Sequence, residues 1–451
     1  MPITSIRLHN FRCFFDSGEI PIRPLTIIFG RNNAGKSSIL DSLFLLRQTM
    51  DRPEYEEGLN MRGPLYPAGS YADIVHKHLS SESIKMEFGV ARREGVGRVT
   101  RGALPKLSGR LTMEFRSREP QPPGLTHFQV ESAGETIVEI RRGRGRGGPR
   151  ELYICGRHIG GEEEGNFRLY SFLPLIAVYE LGLRGRPSAK RENARFTARG
   201  LVAEFRKTLS DLRAVGAFRA APARRYDYQG RPPDATDLSG QNVVYALIDD
   251  SMRRGKNRGS LINTLNQWLS SVGRVRLLPL RRISPTSRLY ELRLKDTESG
   301  RWANFADVGF GVGQALPVLV EGLRTPTDGL FIVQEPEIHL HPDAQLAMAD
   351  YLIDLAVSGR TVIVETHSEA LLLRVREAVV NAKQRGGARR MLHSDQLSIV
   401  HVRSDNYGSS HARPLAVDEL GQVQEWPSGF MEEVTLERLK LLEKMSRKPK
   451  E

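Results

Sequence analysis

Eight consecutive residues, Gly30-Arg31-Asn32-Asn33-Ala34-Gly35-Lys36-Ser37, satisfy G-x-x-x-x-G-K-[ST] at every position. The chemistry this pattern serves is phosphate binding. Its glycines let backbone N–H groups turn inward on an anion. A helix beginning at the lysine aims its positive end at the same point. Lys36 is suited to reach the β and γ phosphates of a nucleotide, and the Ser37 hydroxyl to meet Mg²⁺. Asn32, Asn33, Ala34 and Ser38 complete the loop that a nucleotide would touch. The flanks agree with this reading. Residues 24–29 (PLTIIF) form the short apolar run of a buried strand, and 37–50 carries Ile39, Leu40, Leu43, Leu45 and Leu46 at helical spacing.

A second set of polar residues lies far along the chain. Phe331-Ile332-Val333-Gln334-Glu335-Pro336 is an apolar strand ending in a carboxylate, a placement that suits Glu335 as the general base for an attacking water. Gln334 can hold a metal-bound water but brings no negative charge. Ser37, Gln334 and Glu335 are therefore the expected neighbours of the metal, with Glu337 a second acid nearby. Residues 361–364 read as another buried strand, whose polar tip carries His367. Upstream, Asp307-Val308-Gly309-Phe310-Gly311-Val312-Gly313-Gln314 opens a helix with three glycines, and bare N–H groups at a helix start again favour an anion. Gly309, Gly311, Gly313 and Gln314 are thus candidate phosphate contacts. The His339-x-His341 spacing invites a metal reading.

The elements that must position these groups can be outlined from periodicity. Residues 3–14 alternate apolar and polar. Between 83 and 176, stretches such as GRLTMEFRSR, THFQVESAGETIVEIRR and RELYICGR predict an antiparallel β lobe, interrupted by a basic, glycine-rich loop at 141–150. From 191 to 273 the patterns turn helical (VAEFRKTLSDLRAV, NVVYALIDDSM, LINTLNQWLSSV), and 277–305 returns to strands. The last third alternates: helices at 310–323, 342–357 and 369–383, strands at 330–333, 361–364, 397–402 and near 414. Such alternation predicts an α/β sheet with parallel strands and ligands at their C-terminal ends. Residues 431–445 read as a charged amphipathic helix. No heptad run is long enough for a coiled coil. The expected division is 1–92 and 291–405 for two parts of one nucleotide-binding domain, 93–290 for a β lobe with a helical, basic insertion, and 406–451 for a small C-terminal domain.

Composition narrows the setting. Hydrophobic residues make up 39% and charged residues 26% of the 451, the balance of a globular chain with an ordinary core. No apolar run approaches the ~20 residues of a membrane span, and the N-terminus lacks a secretory pattern. Cys13 and Cys155, the two cysteines, read as reduced core thiols, so a cytoplasmic location is expected. The net charge of +13 would attract polyanions, DNA first. The contact residues would be Arg141, Arg142, Arg144, Arg146 and Arg150, or the stretch 184–199. Solvated loops that keep the protein soluble are the alternative.

The opening ITSIRLHNFRCF followed by PLTIIFGRNNAGKSSILDSL resembles that of RecF, OLD-type and SMC-type ATPases, in which a strand carrying Asn-Phe-Arg/Lys precedes G-x-N-x-x-G-K-S. Asn10, Phe11, Arg12 and Asn32 carry the likeness. DVGFGVGQALPVL, QEPEIHLHP, ETHSE and DELGQVQEWPSGF resemble a group of bacterial AAA/ABC-like ATPases with a small C-terminal domain, some found in anti-phage defence. AFRAAPARRY, around Arg219, is similar to the G-P-L-R-x-x-P segment of that group. The resemblance implies an ABC-type ATPase head without a long coiled coil, binding ATP and Mg²⁺. Lys36, Glu335 and His367, the last as a γ-phosphate-sensing switch, would act catalytically. The His339-Leu340-His341 stretch would be a D-loop rather than a zinc site. It also implies a homodimer or higher even oligomer, in which the glycine-rich segment 309–314 completes the partner's site. An effector partner, a nuclease or toxin, would act beside it, with contact to DNA. Two departures are visible. Gln334 stands where these families place Asp, and a glycine replaces the signature serine. A weakly hydrolysing ATP-dependent scaffold and a RecF-like repair ATPase are the alternatives. Intrinsic nuclease activity is not expected, since no D-x-D follows His367.

Overall fold

In the computed structural model the described residues are 2–51, 58–92, 107–118, 121–142, 149–161, 167–170, 172–176, 188–230, 237–255, 258–284, 286–383 and 391–427. Two β-sheets organise them. The first begins with β1 (Ile3–Phe11), β2 (Phe14–Asp16) and β3 (Ile20–Pro21). The strand expected over 3–14 is a hairpin, because Asn10 and Arg12 both take φ 51° and turn the chain back so that Phe11 pairs with Phe14. After β4 (Leu25–Gly30) and the helices α1 (Lys36–Met50) and α2 (Tyr71–Ile74), the sheet resumes with β5 (Ile84–Ala91). It continues through β6 (Ser108–Arg118), β7 (Gln121–Ser132), β8 (Glu135–Arg142), β9 (Arg150–Ile154) and β10 (Arg157–Gly161). All neighbours are antiparallel, in the order β10-β9-β8-β7-β6-β5-β1-β2. This is the expected β lobe, and it draws strands from both sides of position 92. A two-stranded hairpin, β11 (Phe167–Tyr170) and β12 (Leu173–Ile176), lies beyond it.

The second sheet holds the chemistry. Its strands are β4, β13 (Arg213–Val215), β20 (Leu330–Gln334), β21 (Thr361–Glu365), β22 (Leu397–Ser404) and β23 (Ser410–Leu415). They run β13-β20-β21-β4-β22-β23, parallel except for the last. Both faces are covered, which is why β4, β20 and β21 read as unbroken apolar runs. Ile28, Ile332 and Ile363 face a core shared with α1, the lobe and α3 (Ala189–Ser210). Ile27, Phe29, Phe331, Val333, Val362 and Val364 face the opposite core. That core is built with α4 (Val243–Met252), α5 (Ser260–Gly273), α6 (Phe310–Arg324), α7 (Pro342–Val357) and α8 (Glu369–Lys383). The helical pattern expected to run to 215 stops at Ser210; the three apolar-flanked residues that follow join the parallel sheet as β13 beside β20. Small sheets of β14 (Tyr226–Asp227), β16 (Arg281–Arg282) and β17 (Leu289–Glu291), and of β15 (Val275–Leu277), β18 (Arg293–Asp296) and β19 (Trp302–Asn304), follow; most of these strands lie in the expected strand region, but β14 falls within the stretch expected to be helical.

Helix limits follow from local chemistry. Pro342 opens α7 at a position where its missing N–H costs nothing, and Asp343 sits in the positive first turn. The two sheets are stitched together beside β2: Ser410 N–H donates to the Cys13 carbonyl (2.8 Å) and Ala412 N–H to that of Ser17 (3.1 Å). No helix among the described residues is long and apolar enough to cross a membrane. The expected helix at 431–445 lies outside the described residues.

Candidate active site

The sheet delivers β4, β20 and β21 side by side, so their C-terminal tips meet. The loop after β4 is set by close approaches that forbid a side chain. A Cβ on Gly30 would lie 2.2 Å from the carbonyl oxygen of Val402 on β22. Gly35 caps α1 at φ 96°, and a Cβ there would lie 2.2 Å from the Cys13 sulfur. Asn33 takes φ 61° between them. Asn32 and Asn33 are exposed, whereas Ala34 and Ser38 are buried, the latter 3.5 Å from the Cys13 thiol. Lys36 folds back over the loop and donates to the Arg31 carbonyl at 2.9 Å. Burial lowers the pKa of its ammonium, and Glu365, followed by Glu335 and Glu337, pulls the other way. A cavity of about 410 Å³ opens beside the loop, lined by Arg12, Asn33, Lys36, Ser37, Lys77 and His78 among others. Arg12, Lys36 and Lys77 outweigh the one lining carboxylate, Asp73, a balance that favours an anionic ligand.

The floor of the site is a chain of hydrogen bonds. The Ser37 hydroxyl donates to Glu365 Oε1 at 2.8 Å, and the Gln334 amide donates to Glu365 Oε2 at 2.9 Å. Gln334 and Glu365 are register partners on β20 and β21. Glu335 follows in a left-handed conformation, φ 46°. That places its carboxylate 4.0 Å from His367 Nε2, each side chain 32% exposed. Glu337 is turned inward and accepts from the His367 N–H (2.6 Å) and the Thr366 hydroxyl (2.8 Å); burial raises its pKa. Glu335 is therefore the acid free to face a ligand, and Glu337 is the one that shapes the His367 turn.

Arg219 holds this corner from behind. Its guanidinium donates to the carbonyls of Gly216 (3.0 Å), Gln314 (3.2 Å), Gln334 (2.7 Å) and Glu335 (2.9 Å). Burial lowers its pKa from 12.5 to about 10. One side chain thereby ties α6 to the tip of β20.

The glycine-rich segment is only partly accessible. Gly309 and Phe310 are exposed at the start of α6, with the Phe310 ring edge-on to His339 (5.3 Å). A Cβ on Gly311 would lie 2.8 Å from the His339 carbonyl oxygen; Gly313 abuts Pro222, and Gln314 is buried. None of Gly309, Gly311, Gly313 and Gln314 lines the cavity beside the P-loop. Among the described residues no cluster of three His, Cys, Asp or Glu suited to a metal is found. His339 packs on Phe310, and His341 lies 3.7 Å from Asp343.

Two site residues escaped the sequence reading. Glu365 was legible only as the end of a buried strand, and Arg219 only as part of a familiar segment. Among the basic candidates, Arg141 is exposed and stacks over Tyr153 (4.1 Å), but Arg150 is buried and cannot present its charge to a polyanion. Arg144, Arg146 and 184–187 lie outside the described residues. A larger cleft of about 530 Å³ opens near the start of β13, lined in part by Arg213, Arg253 and Arg324. These arginines are already paired with Glu321 and Asp249. It also lies at the wrong end of parallel strands for the P-loop ligand.

The residues present fit a nucleotide triphosphate with Mg²⁺. The loop has no room for a Cβ at Gly30 or Gly35, Lys36 spans it, and the Ser37 hydroxyl meets a carboxylate. Lys36 and the loop N–H groups would hold the phosphates, and Ser37 with the tips of β20 and β21 would hold the metal. The metal would supply charge neutralisation for phosphoryl transfer.

Comparison with known proteins agrees with this geometry. Residues 1–88 match a family model described as "AAA ATPase domain", and residues 166–374 match one described as "AAA domain, putative AbiEii toxin, Type IV TA system". The interval between them contains β6 to β10 of the lobe. No curated protein matches the chain. Among solved structures, the SMC head domain from Thermotoga maritima aligns at 13% identity over 92% of this chain and 100% of that one, with a TM-score of 0.41. The Smc head domain bound to the C-terminal domain of ScpA, from Pyrococcus furiosus, aligns at 10% identity over 99% and 100%, TM-score 0.45. Taken with the site, the two ATPase family models support an ATP-binding P-loop ATPase.

Proposed function

We propose that this protein is an ATP-driven switch that hydrolyses ATP across a head-to-head homodimer. Lys36 and Ser37 bind the nucleotide, Glu335 activates the attacking water, and His367 senses the γ-phosphate. The segment opening at Gly309 closes over the partner's site. The observation that carries this reading is the convergence of Ser37, Gln334, Glu335 and His367 at three adjacent strand tips. Exposure of Gly309 and Phe310 at the start of α6 supports contact with a second copy. Phosphoryl transfer is mostly positioning and charge stabilisation, so closing two such surfaces creates the activity. In the cell the switch works beside an effector, a nuclease or toxin, in anti-phage defence, and contacts DNA through arginines of the lobe and α3.

Phosphate release tests the enzymatic core. Glu335→Gln should lower turnover by roughly 10²-fold or more, and light scattering should find that variant dimeric with ATP and Mg²⁺. Equal rates in wild type and variant would leave an ATP-gated scaffold instead. A strict monomer under saturating nucleotide would remove the sandwich altogether. Phage plating with and without the flanking genes tests the pathway.

A further inference from the structure

The P-loop reading leaves one chemical difficulty. At the tip of β20, where a carboxylate would face the metal, the chain has Gln334, which is neutral. We propose that Glu365, at the tip of the adjacent strand β21, supplies the negative charge to the nucleotide-bound Mg²⁺, and that Gln334 serves to orient it. This rests on the ATPase reading above.

Three observations carry it. Glu365 is 4% exposed, yet both its oxygens are met by neutral donors, Ser37 Oγ at 2.8 Å and Gln334 Nε2 at 2.9 Å. A buried carboxylate is costly without a compensating charge; Lys36 acts on it electrostatically but spends its hydrogen bond on the Arg31 carbonyl, and a divalent cation beside Ser37 would add charge next to Oε1. Second, the contact to Ser37 puts Oε1 against the hydroxyl assigned to the metal. Glu335 by contrast approaches His367. Third, the backbone fixes Glu365 from both sides: it pairs with Ile28 of β4 and Gln334 of β20, and the Glu335 N–H donates to its carbonyl at 2.7 Å. The extra methylene of Glu over Asp suits a carboxylate reaching the metal from the next strand. An Asp at 334 beside Glu365 would set two carboxylates against each other, whereas the Gln amide donates to Glu365 and fixes its second oxygen. The loss of an acid on β20 and the gain of one on β21 are thus one arrangement.

The test reads metal binding rather than turnover. A fluorescent ATP analogue is titrated with the full-length protein at fixed nucleotide and increasing Mg²⁺, and separately in EDTA. Glu365→Gln, which keeps size and needs only the Ser37 hydroxyl or a flipped Gln334 amide to accept instead of donate, should raise the Mg²⁺ half-saturation point roughly 10- to 100-fold. Its metal-free nucleotide affinity should stay at the wild-type level or higher. Gln334→Asp/Glu365→Gln, which returns the charge to β20, should recover much of the loss, and Mn²⁺ binding followed by electron paramagnetic resonance should move in parallel. An unchanged Mg²⁺ half-point in Glu365→Gln, with nucleotide still bound, overturns the assignment of Glu365 and leaves the ATPase reading standing. Equal weakening in EDTA and in Mg²⁺ also overturns it, because the residue would then be structural. Wild-type protein that binds no nucleotide overturns the ATPase reading and this inference with it.

Discussion

Replacing Arg219 with Met tests how the site is braced. The guanidinium makes four hydrogen bonds to carbonyls, two of them at Gln334 and Glu335. At ~1.5 kcal/mol for each bond to a charged group, their loss costs roughly 6 kcal/mol. That figure is already net of the hydration the guanidinium gives up on burial, which also lowers its pKa to about 10. The effect on turnover should be disproportionate. Glu335 sits at φ 46°, a conformation that costs about 1–3 kcal/mol and persists only while its surroundings hold it. With its carbonyl released, the carboxylate shifts, and a displacement of about 1 Å costs on the order of 10²-fold in rate. Lys36 and Ser37 stay in place, so ATP affinity should change little. Steady-state phosphate release, analogue binding and urea denaturation on the same preparation separate these terms. Arg219→Met with near-wild-type kcat and lowered stability would refute the argument, as would a fall in nucleotide affinity matching the fall in kcat. Arg219→Lys should behave like Met in rate, because one ammonium cannot span the four carbonyls.

Other outcomes follow from single contacts. Gly35→Ala places a methyl 2.2 Å from the Cys13 sulfur at φ 96°; nucleotide binding should fall at least ~10-fold, and adding Cys13→Ala should recover only the steric part, since the backbone cost of about 1–3 kcal/mol remains. Asp41, buried against Arg12, has its pKa raised to about 7, mainly by burial. Its folded value lies above the unfolded one, so stability should decline as pH rises from about 4 to 7; urea midpoints should show a slope that Asp41→Asn flattens. Phe310→Glu, at a side chain 65% exposed, should abolish the ATP-dependent dimer of the Glu335→Gln background while leaving the thermal melt unchanged. For DNA, neutralising exposed Arg141 and Arg199 should each reduce the log-affinity against log-salt slope by about 1, and a slope near zero in the wild type would reject phosphate contact.

The parts of the fold that the sequence disclosed were those set by local periodicity. Helices α7 and α8 begin and end where Pro342, Glu369 and their apolar spacing put them, and the P-loop declared itself through Gly30, Gly35 and Lys36. What stayed hidden depends on which distant strands become neighbours. Glu365 gains meaning only once β21 is inserted between β4 and β20; no spacing rule announces that insertion. Arg219 has four backbone acceptors, and carbonyls leave no signature in side-chain types. Residues 213–215 read as the end of a helix because three residues are too few to display a two-residue period, and their strand is made by β20 alone.

The strand carrying the phosphate loop is flanked in the sheet by β21 and β22, both encoded more than three hundred residues later. Closing so long a loop must precede any gain from that pairing. During synthesis, therefore, the ribosome completes the GRNNAGKS segment early, but the strand that delivers it has no partner in its own sheet until Thr361–Glu365, and then the region around Val402, have left the exit tunnel. Until then the N-terminal strands have only their own antiparallel lobe to join. Nascent and prematurely terminated products should thus fail to bind nucleotide, which restricts any signal to finished molecules.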